Sequence, residues 1–211
     1  MIRRLIFFLV ALVPATAVLV EVFAPSLVED RIEDRVEERV PDATTVSASL
    51  DSFPFVTRLG LTGSVKELTV DLEGVERAGL AFAVITLELS GIQLDRKALY
   101  NNDFRLHSID EGAITAEFTE EALSAAVGTE VQLEPGQAVL TVAGQEVATP
   151  VEVSGGQLVL SGGGITVPLP TTDLFPCDLE GEILAGRARL RCSVDEVPPI
   201  LLRAAEAEAA R

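Results

Sequence analysis

At Pro41 the period of the sequence changes, and that change constrains the fold more than any other feature. Ahead of it the chain reads LVEDRIEDRVEERV, with Val28, Ile32, Val36 and Val40 four residues apart. Residues at that spacing share one helix face, so Ser26 to Val40 is expected to be an amphipathic helix that Pro41 ends. Its other faces carry Glu29, Asp30, Glu33, Asp34, Glu37 and Glu38 against Arg31, Arg35 and Arg39. Such faces are expected in solvent, the alternative being a coiled-coil contact with a partner. Beyond Pro41 the pattern alternates. Leu68-Thr69-Val70-Asp71-Leu72-Glu73-Gly74 is echoed by Ile85-Thr86-Leu87-Glu88-Leu89-Ser90-Gly91, and Leu140 to Gly144 and Leu158 to Gly162 repeat the theme. A glycine after a run of alternating apolar residues marks a bulge or bend that lets a sheet curl. Turn signals at Asn101-Asn102-Asp103, Asp110-Glu111-Gly112, Gly155-Gly156 and Gly162-Gly163-Gly164 separate the segments. The expected architecture is α+β: a long, strongly curved antiparallel sheet wrapped on one or two helices.

One helix is expected to interrupt the strands. Thr119 is a good N-cap, Glu120 and Glu121 suit the positive end of the helix dipole, and Gly128 provides the stop. The tail from Pro198 to Ala210 is rich in Ala and Glu and is expected to form a short helix that frays. A sheet with one wet face needs apolar matter on the other. The inward candidates are Leu68, Val70, Leu72, Ile85, Leu87, Leu89, Ile114, Ala116 and Phe118, and a slip of one register would move all of them to the wrong face. These are medium-sized fillers in a chain with only 5% aromatic residues. They suit a dry core, or a cavity for acyl chains, which need apolar area rather than directed hydrogen bonds.

Charge and the N-terminus bear on compartment and partners. With 33 acidic and 16 basic residues the formal charge is −17, although 48% of the chain is hydrophobic. Nucleic acid is excluded as a partner, because binding it rests on neutralising phosphates with Lys and Arg. Arg3 and Arg4 precede an uncharged stretch from Leu5 to Val20, the layout of an export signal or membrane anchor. Sixteen helical residues span about 24 Å, short of the ~30 Å hydrocarbon layer unless the helix continues to Ala24. Pro14 and Ala15-Thr16-Ala17 suit cleavage, whereas the apolar Val18 to Phe23 suits a retained anchor. Residues 1–24 are therefore set apart as signal or anchor and 25–211 as one exported domain. Setting the two arginines aside lowers the remaining charge from −17 to −19. In an oxidising compartment Cys177 and Cys192, with fourteen residues between them and Ala185-Gly186 near the middle, fit a disulfide across two paired strands. Two free buried thiols are the other reading.

Leu50-Asp51-Ser52-Phe53-Pro54-Phe55-Val56-Thr57-Arg58-Leu59, followed by Gly63, Val65, Leu68, Val70 and the Gly91-Ile92 strand, resembles the LmeA-like phospholipid-binding family of actinobacterial cell envelopes. Phe53-Pro54-Phe55 matches the core of its x-F-P-F-L-T-x-L motif, Thr57 and Leu59 match, and Val56 replaces the more usual Leu. The later landmarks, Thr119 to Gly128 and Val197 to Leu202, also look like the family's, so the resemblance spans about residues 18 to 202. It implies a tubular lipid-binding type of fold, phospholipid or glycolipid as partner, membrane contact through the N-terminal segment, and an envelope role in moving or presenting lipids. The residues that the resemblance places against lipid are Phe53, Phe55, Leu68, Val70, Leu72, Ile85, Leu87, Leu89, Ile114 and Phe118. Pro54 fixes an extended dipeptide, which is expected to hold both rings at a rigid strand entrance, at a groove mouth or as a core plug. Phe175-Pro176-Cys177 is a second such corner.

Chemistry is thinly represented. No G-x-S-x-G, G-x-x-x-x-G-K or G-x-G-x-x-G occurs. The single histidine, His107, is expected to point out of a strand, and two thiols with one distant imidazole make no metal site. Asp110-Glu111 and Asp195-Glu196 are sequence neighbours whose side chains diverge on a strand. No catalytic residue, metal or cofactor is expected, a bound phospholipid being the ligand that the resemblance allows. The expected function is non-enzymatic lipid binding in the envelope, with a dry-cored scaffold that uses the acidic helix to meet a partner as the alternative. Val70→Asp and Leu87→Asp would unfold the scaffold but leave a carrier folded and empty.

Overall fold

The computed structural model describes residues 2–77, 79–95, 106–142, 144–154, 157–160, 165–168, 177 and 179–194, with the backbone course alone for 2–19, 154, 157 and 165–168. The element order is α1 (Ile2–Arg39), β1 (Thr45–Asp51), α2 (Phe55–Thr62), β2 (Ser64–Glu73), β3 (Glu76–Arg77), β4 (Leu80–Ala81), β5 (Val84–Leu94), β6 (Leu106–Ser108) and β7 (Glu111–Thr119), then α3 (Glu120–Val127), β8 (Val131–Glu134), β9 (Gln137–Val142), β10 (Gln145–Ser154), β11 (Gln157–Leu160), β12 (Ile165–Pro168), β13 (Glu180–Leu184) and β14 (Arg187–Val194). The expected tail helix, the Phe175-Pro176 corner and the turns at 101–103, 155–156 and 162–164 lie outside the described residues.

The architecture is the expected α+β fold dominated by antiparallel strands, and its sheet is not closed. The strands divide between a seven-stranded sheet in the order β1-β2-β5-β7-β14-β13, with β6 beside β5, and a five-stranded sheet in the order β12-β11-β10-β9-β8. In the larger sheet the register lines up three apolar rows on one face: Leu50, Leu68 and Leu89; Ala48, Val70, Leu87, Ile114 and Cys192; and Val46, Leu72, Ile85, Ala116 and Leu190. Directly opposed residues share a face. The opposite face is polar, with the Thr86 hydroxyl donating to Asp71 at 2.6 Å and Glu117 bridged by Arg187 and Arg189. In the smaller sheet Val131, Leu133, Ala138, Leu140, Leu158 and Leu160 turn to the same continuous core. Phe82 and Phe118, both fully buried, meet edge to face at its centre with ring centroids 6.3 Å apart.

Two glycines show why the strands can run this way. Gly91 keeps β5 going at φ 60°, a conformation costly for other residues, and any side chain there would run into the Asp110 carboxylate. Gly181 on β13 lets Val153 of β10 approach so closely that a methyl group would collide with it, and there the two sheets meet. Gly74 differs from expectation: it ends β2 instead of bending a continuing strand.

The Thr119–Gly128 helix forms as expected. The Thr119 hydroxyl accepts from the Ala122 N–H, Gly128 closes the helix at φ 77°, and Leu123 is fully buried. The expected hairpin around Ala185-Gly186 is β13–β14, and Cys177 and Cys192 are joined as a disulfide. Its placement corrects the expected cross-strand pair. Cys192 lies within β14, whereas Cys177 precedes β13, so the bond ties down the segment leading into that strand.

Candidate functional site

Two helices position the apolar face of the larger sheet. The acidic helix does not begin at Ser26: α1 runs without a break from Ile2 through Pro25 to Arg39. Its stripe of Val28, Ile32, Val36 and Val40 is half-buried as expected, with Val28 and Val40 packed on the core. Its acidic faces are not all solvated, however. Glu33 accepts a hydrogen bond from the Ala48 N–H at 2.8 Å and Glu29 one from the Leu50 N–H at 2.6 Å. The physical reason is a match of repeats: four helical residues rise about 6 Å and two strand residues about 6.7 Å. A row of glutamates can therefore satisfy the outward N–H groups of β1, the edge strand, which would otherwise invite another strand. The apolar stripe beside that row carries the sheet's apolar face past its edge.

The Phe53-Pro54-Phe55 motif opens a helix, not a strand. Pro54, extended at φ −74° and ψ 117°, is the N-cap of α2, and Gly63 closes it at φ 70°. Proline before the first turn and glycine after the last is a helix signature that the strand reading overlooked. The two rings part company: Phe55 is 3% exposed in the core, and Phe53 is 78% exposed. With no capping side chain of its own, α2 receives one from α1. The Glu21 carboxylate accepts from the Val56 N–H at 2.8 Å, the Thr57 N–H at 2.9 Å and the Thr57 hydroxyl at 2.7 Å. The Thr57 hydroxyl first, then the N–H groups of that turn, hold the Glu21 carboxyl below its ordinary range against a counteracting effect of burial. Sequence reasoning missed Glu21, although it stands eight residues ahead of Glu29 in the same four-residue rhythm.

The remaining candidates occupy one face in the expected register but differ in burial. Val70, Ile85, Leu89, Ile114 and Phe118 are buried, whereas Leu68, Leu72 and Leu87, with Leu50 beside them, are only half-buried although packed against the core. The half-buried leucines lie on β1, β2 and β5, the strands nearest α1. Ile32 and Val36 of α1 are half-buried as well. The half-buried leucines form a stretch of apolar surface that the core leaves partly uncovered, with no charged side chain in its rows. It can shed water onto an aliphatic ligand, and it holds no groups arranged for proton transfer.

Other features carry less. His107 is exposed on β6, as expected. An open depression of about 490 Å³ beside α3 is lined by Glu120, Glu121, Ser124, Glu130, Val131 and Gln132. Its carboxylates suit water better than acyl chains, and Glu120 is engaged with the Leu133 N–H at 2.6 Å. Among the described residues no group of three or more His, Cys, Asp or Glu side chains is arranged to hold a metal ion. Among the residues whose side chains are described, no helix is long and apolar enough to cross a membrane.

Comparison with known proteins identifies one family: the profile described as LmeA-like phospholipid-binding matches residues 19–210, nearly the whole chain. No curated protein and no solved structure matches.

Proposed function

This chain belongs to the LmeA-like phospholipid-binding family, and from that premise we propose that it is an envelope protein that holds the acyl chains of a phospholipid or glycolipid against the α1 side of its larger sheet, for transport or presentation. The observation that carries the reading is the set of half-buried leucines on one face of β1, β2 and β5, Leu50, Leu68, Leu72 and Leu87, in register with buried neighbours and beside the apolar stripe of α1. Acyl methylenes leaving water for such a surface gain about 0.8 kcal/mol each, while a headgroup stays at the rim. No bond is made or broken, so the protein works as a binder without a cofactor. The disulfide and the Arg3-Arg4 stretch ahead of Leu5 support an extracytoplasmic location, anchored or secreted.

The experiment is native mass spectrometry with organic extraction of protein exported into an oxidising compartment. Co-purified phospholipid near one per chain is the expected result, and folded protein that takes up no added lipid would sink the reading in favour of a dry-cored scaffold. The burial pattern also sharpens the substitution test. Val70 is 4% exposed, so Val70→Asp unfolds a carrier and a scaffold alike. Leu87→Asp is the informative change, expected to leave a folded protein without lipid.

A further inference from the structure

We propose that the end of the domain where α1 meets α2 is a docking surface for a lipid bilayer, with Phe23, Leu27, Phe53 and Leu61 laid into its outer layer. The described large hydrophobic residues that remain strongly exposed are unevenly distributed. Val20, Val22, Phe23 and Leu27 are 50 to 69% exposed on α1, and Phe53, just ahead of α2, and Leu61, in its last turn, are 78% and 68% exposed. Only Val142, at the far end of β9, lies elsewhere. Phe23 and Leu27 are four residues apart and share a face of α1, and Thr57 and Leu61 share a face of α2 in the same way. The Glu21 carboxylate on Thr57 and Val56 clamps the two helices together here, and Phe23 and Leu27 lie on the side of α1 away from that clamp, so the exposed apolar residues surround the junction of the two helices. Exposed apolar residues scattered singly are ordinary, but a cluster on adjoining elements marks a contact surface.

Charge selects the occupant. The chain carries −17, and such a surface is repelled by anionic headgroups. The two segments that build this end are exceptions. Residues 20–28 hold one charge, Glu21, and residues 52–65 hold one, Arg58, so together they are neutral. Glu21 is moreover turned onto the α2 backbone. A domain that is acidic elsewhere and apolar and neutral at one end meets a bilayer in one orientation. The bilayer is also the occupant that the chain itself points to, because α1 continues from this end into the uncharged stretch Leu5 to Val20. Ser52, next to Phe53, follows directly on β1, so this end also adjoins Leu50 and Leu68. Docking here would set the proposed lipid-binding face beside the membrane, but the contact itself does not depend on a lipid being carried.

The protein contains no tryptophan, so single reporters can be placed at will. Phe53→Trp, Leu61→Trp and, as a control, Val142→Trp are introduced one at a time into the full chain. Each is reconstituted with vesicles of phosphatidylethanolamine and phosphatidylglycerol, with ordinary or dibrominated acyl chains. The expected result is a blue-shifted emission that bromolipid quenches for the first two variants, with neither effect for the third. Water-like emission at both Phe53→Trp and Leu61→Trp in vesicle-bound protein would overturn the proposal. Quenching that persists after the vesicles are removed would overturn it too, since it would report a carried lipid. Docking without extractable lipid would retain this proposal and sink the carrier reading, and carriage without docking would do the reverse.

Discussion

The two halves of the larger sheet carry the same alternating pattern and end in different states. On β7 and β14 the inward residues Ala116, Phe118, Ala188 and Leu190 are fully buried, because α3 and the smaller sheet close over that half. On β1, β2 and β5 the inward residues are mixed: Val46, Val70, Ile85 and Leu89 are buried, whereas Leu50, Leu68, Leu72 and Leu87 are only half-buried, because α1 lies along the edge of the sheet instead of across it. Alternation thus specifies which face turns away from water, while the elements docked on that face decide how completely it does so. A half that is covered stabilises the fold; a half left partly open has apolar area available to a ligand.

The largest expected effect comes from the closed half. Phe118→Ala removes a fully buried ring packed on Phe82 and is expected to cost about 3–5 kcal/mol in denaturant unfolding. A cost as small as that of an exposed site would show that this half is not the closed one. Leu87→Ala or Leu68→Ala on the open half is expected to cost less, about 1–2 kcal/mol, below the range for buried leucines. The same variants should lower lipid per chain in native mass spectrometry, whereas Phe118→Ala should leave the ratio unchanged in the molecules that remain folded. Equal costs on both halves would erase the comparison.

Smaller effects test how α1 borders the open half. Glu29→Ala and Glu33→Ala each remove an acceptor from the edge strand and are expected to cost about 1 kcal/mol. Faster hydrogen exchange at Leu50 in the first variant and at Ala48 in the second would locate the loss. The mildest probe is pH. A carboxyl whose folded pKa is lowered adds stability above its unfolded pKa, and loses that contribution as pH falls through the folded value. Protection of the Val56 and Thr57 amides is therefore expected to hold at neutral pH and to decline at and below the ordinary carboxylate range. Glu21→Gln should flatten that dependence, and unchanged behaviour would detach Glu21 from the clamp.

The regular parts of this fold were legible because they rest on local rules. The inward register of Leu68, Val70, Leu72, Ile85, Leu87, Leu89, Ile114 and Phe118 follows from a side-chain period of two, and the Thr119 to Gly128 helix from a cap at each end. What went unread depends on partners distant in sequence. Phe53 and Phe55 are two residues apart in one motif, yet one is exposed and the other buried, because Pro54 starts a helix that only Glu21, more than thirty residues earlier, completes. Glu29 and Glu33 are equally opaque, since a carboxylate in a charged run looks solvated until a strand edge is found beside it.

The acidic charge, the change of period at Pro41, the inward face of each long strand and the landmarks that tie the chain to its family are properties of composition or of neighbours along the chain, and the residue order is enough to read them. That the strands divide between two sheets, that α1 borders the edge instead of covering the face, and that four leucines and one end of the domain are left open emerge from the folded chain alone. The reason is that burial is a property of what packs on a surface, and the elements that pack there come from elsewhere in the chain.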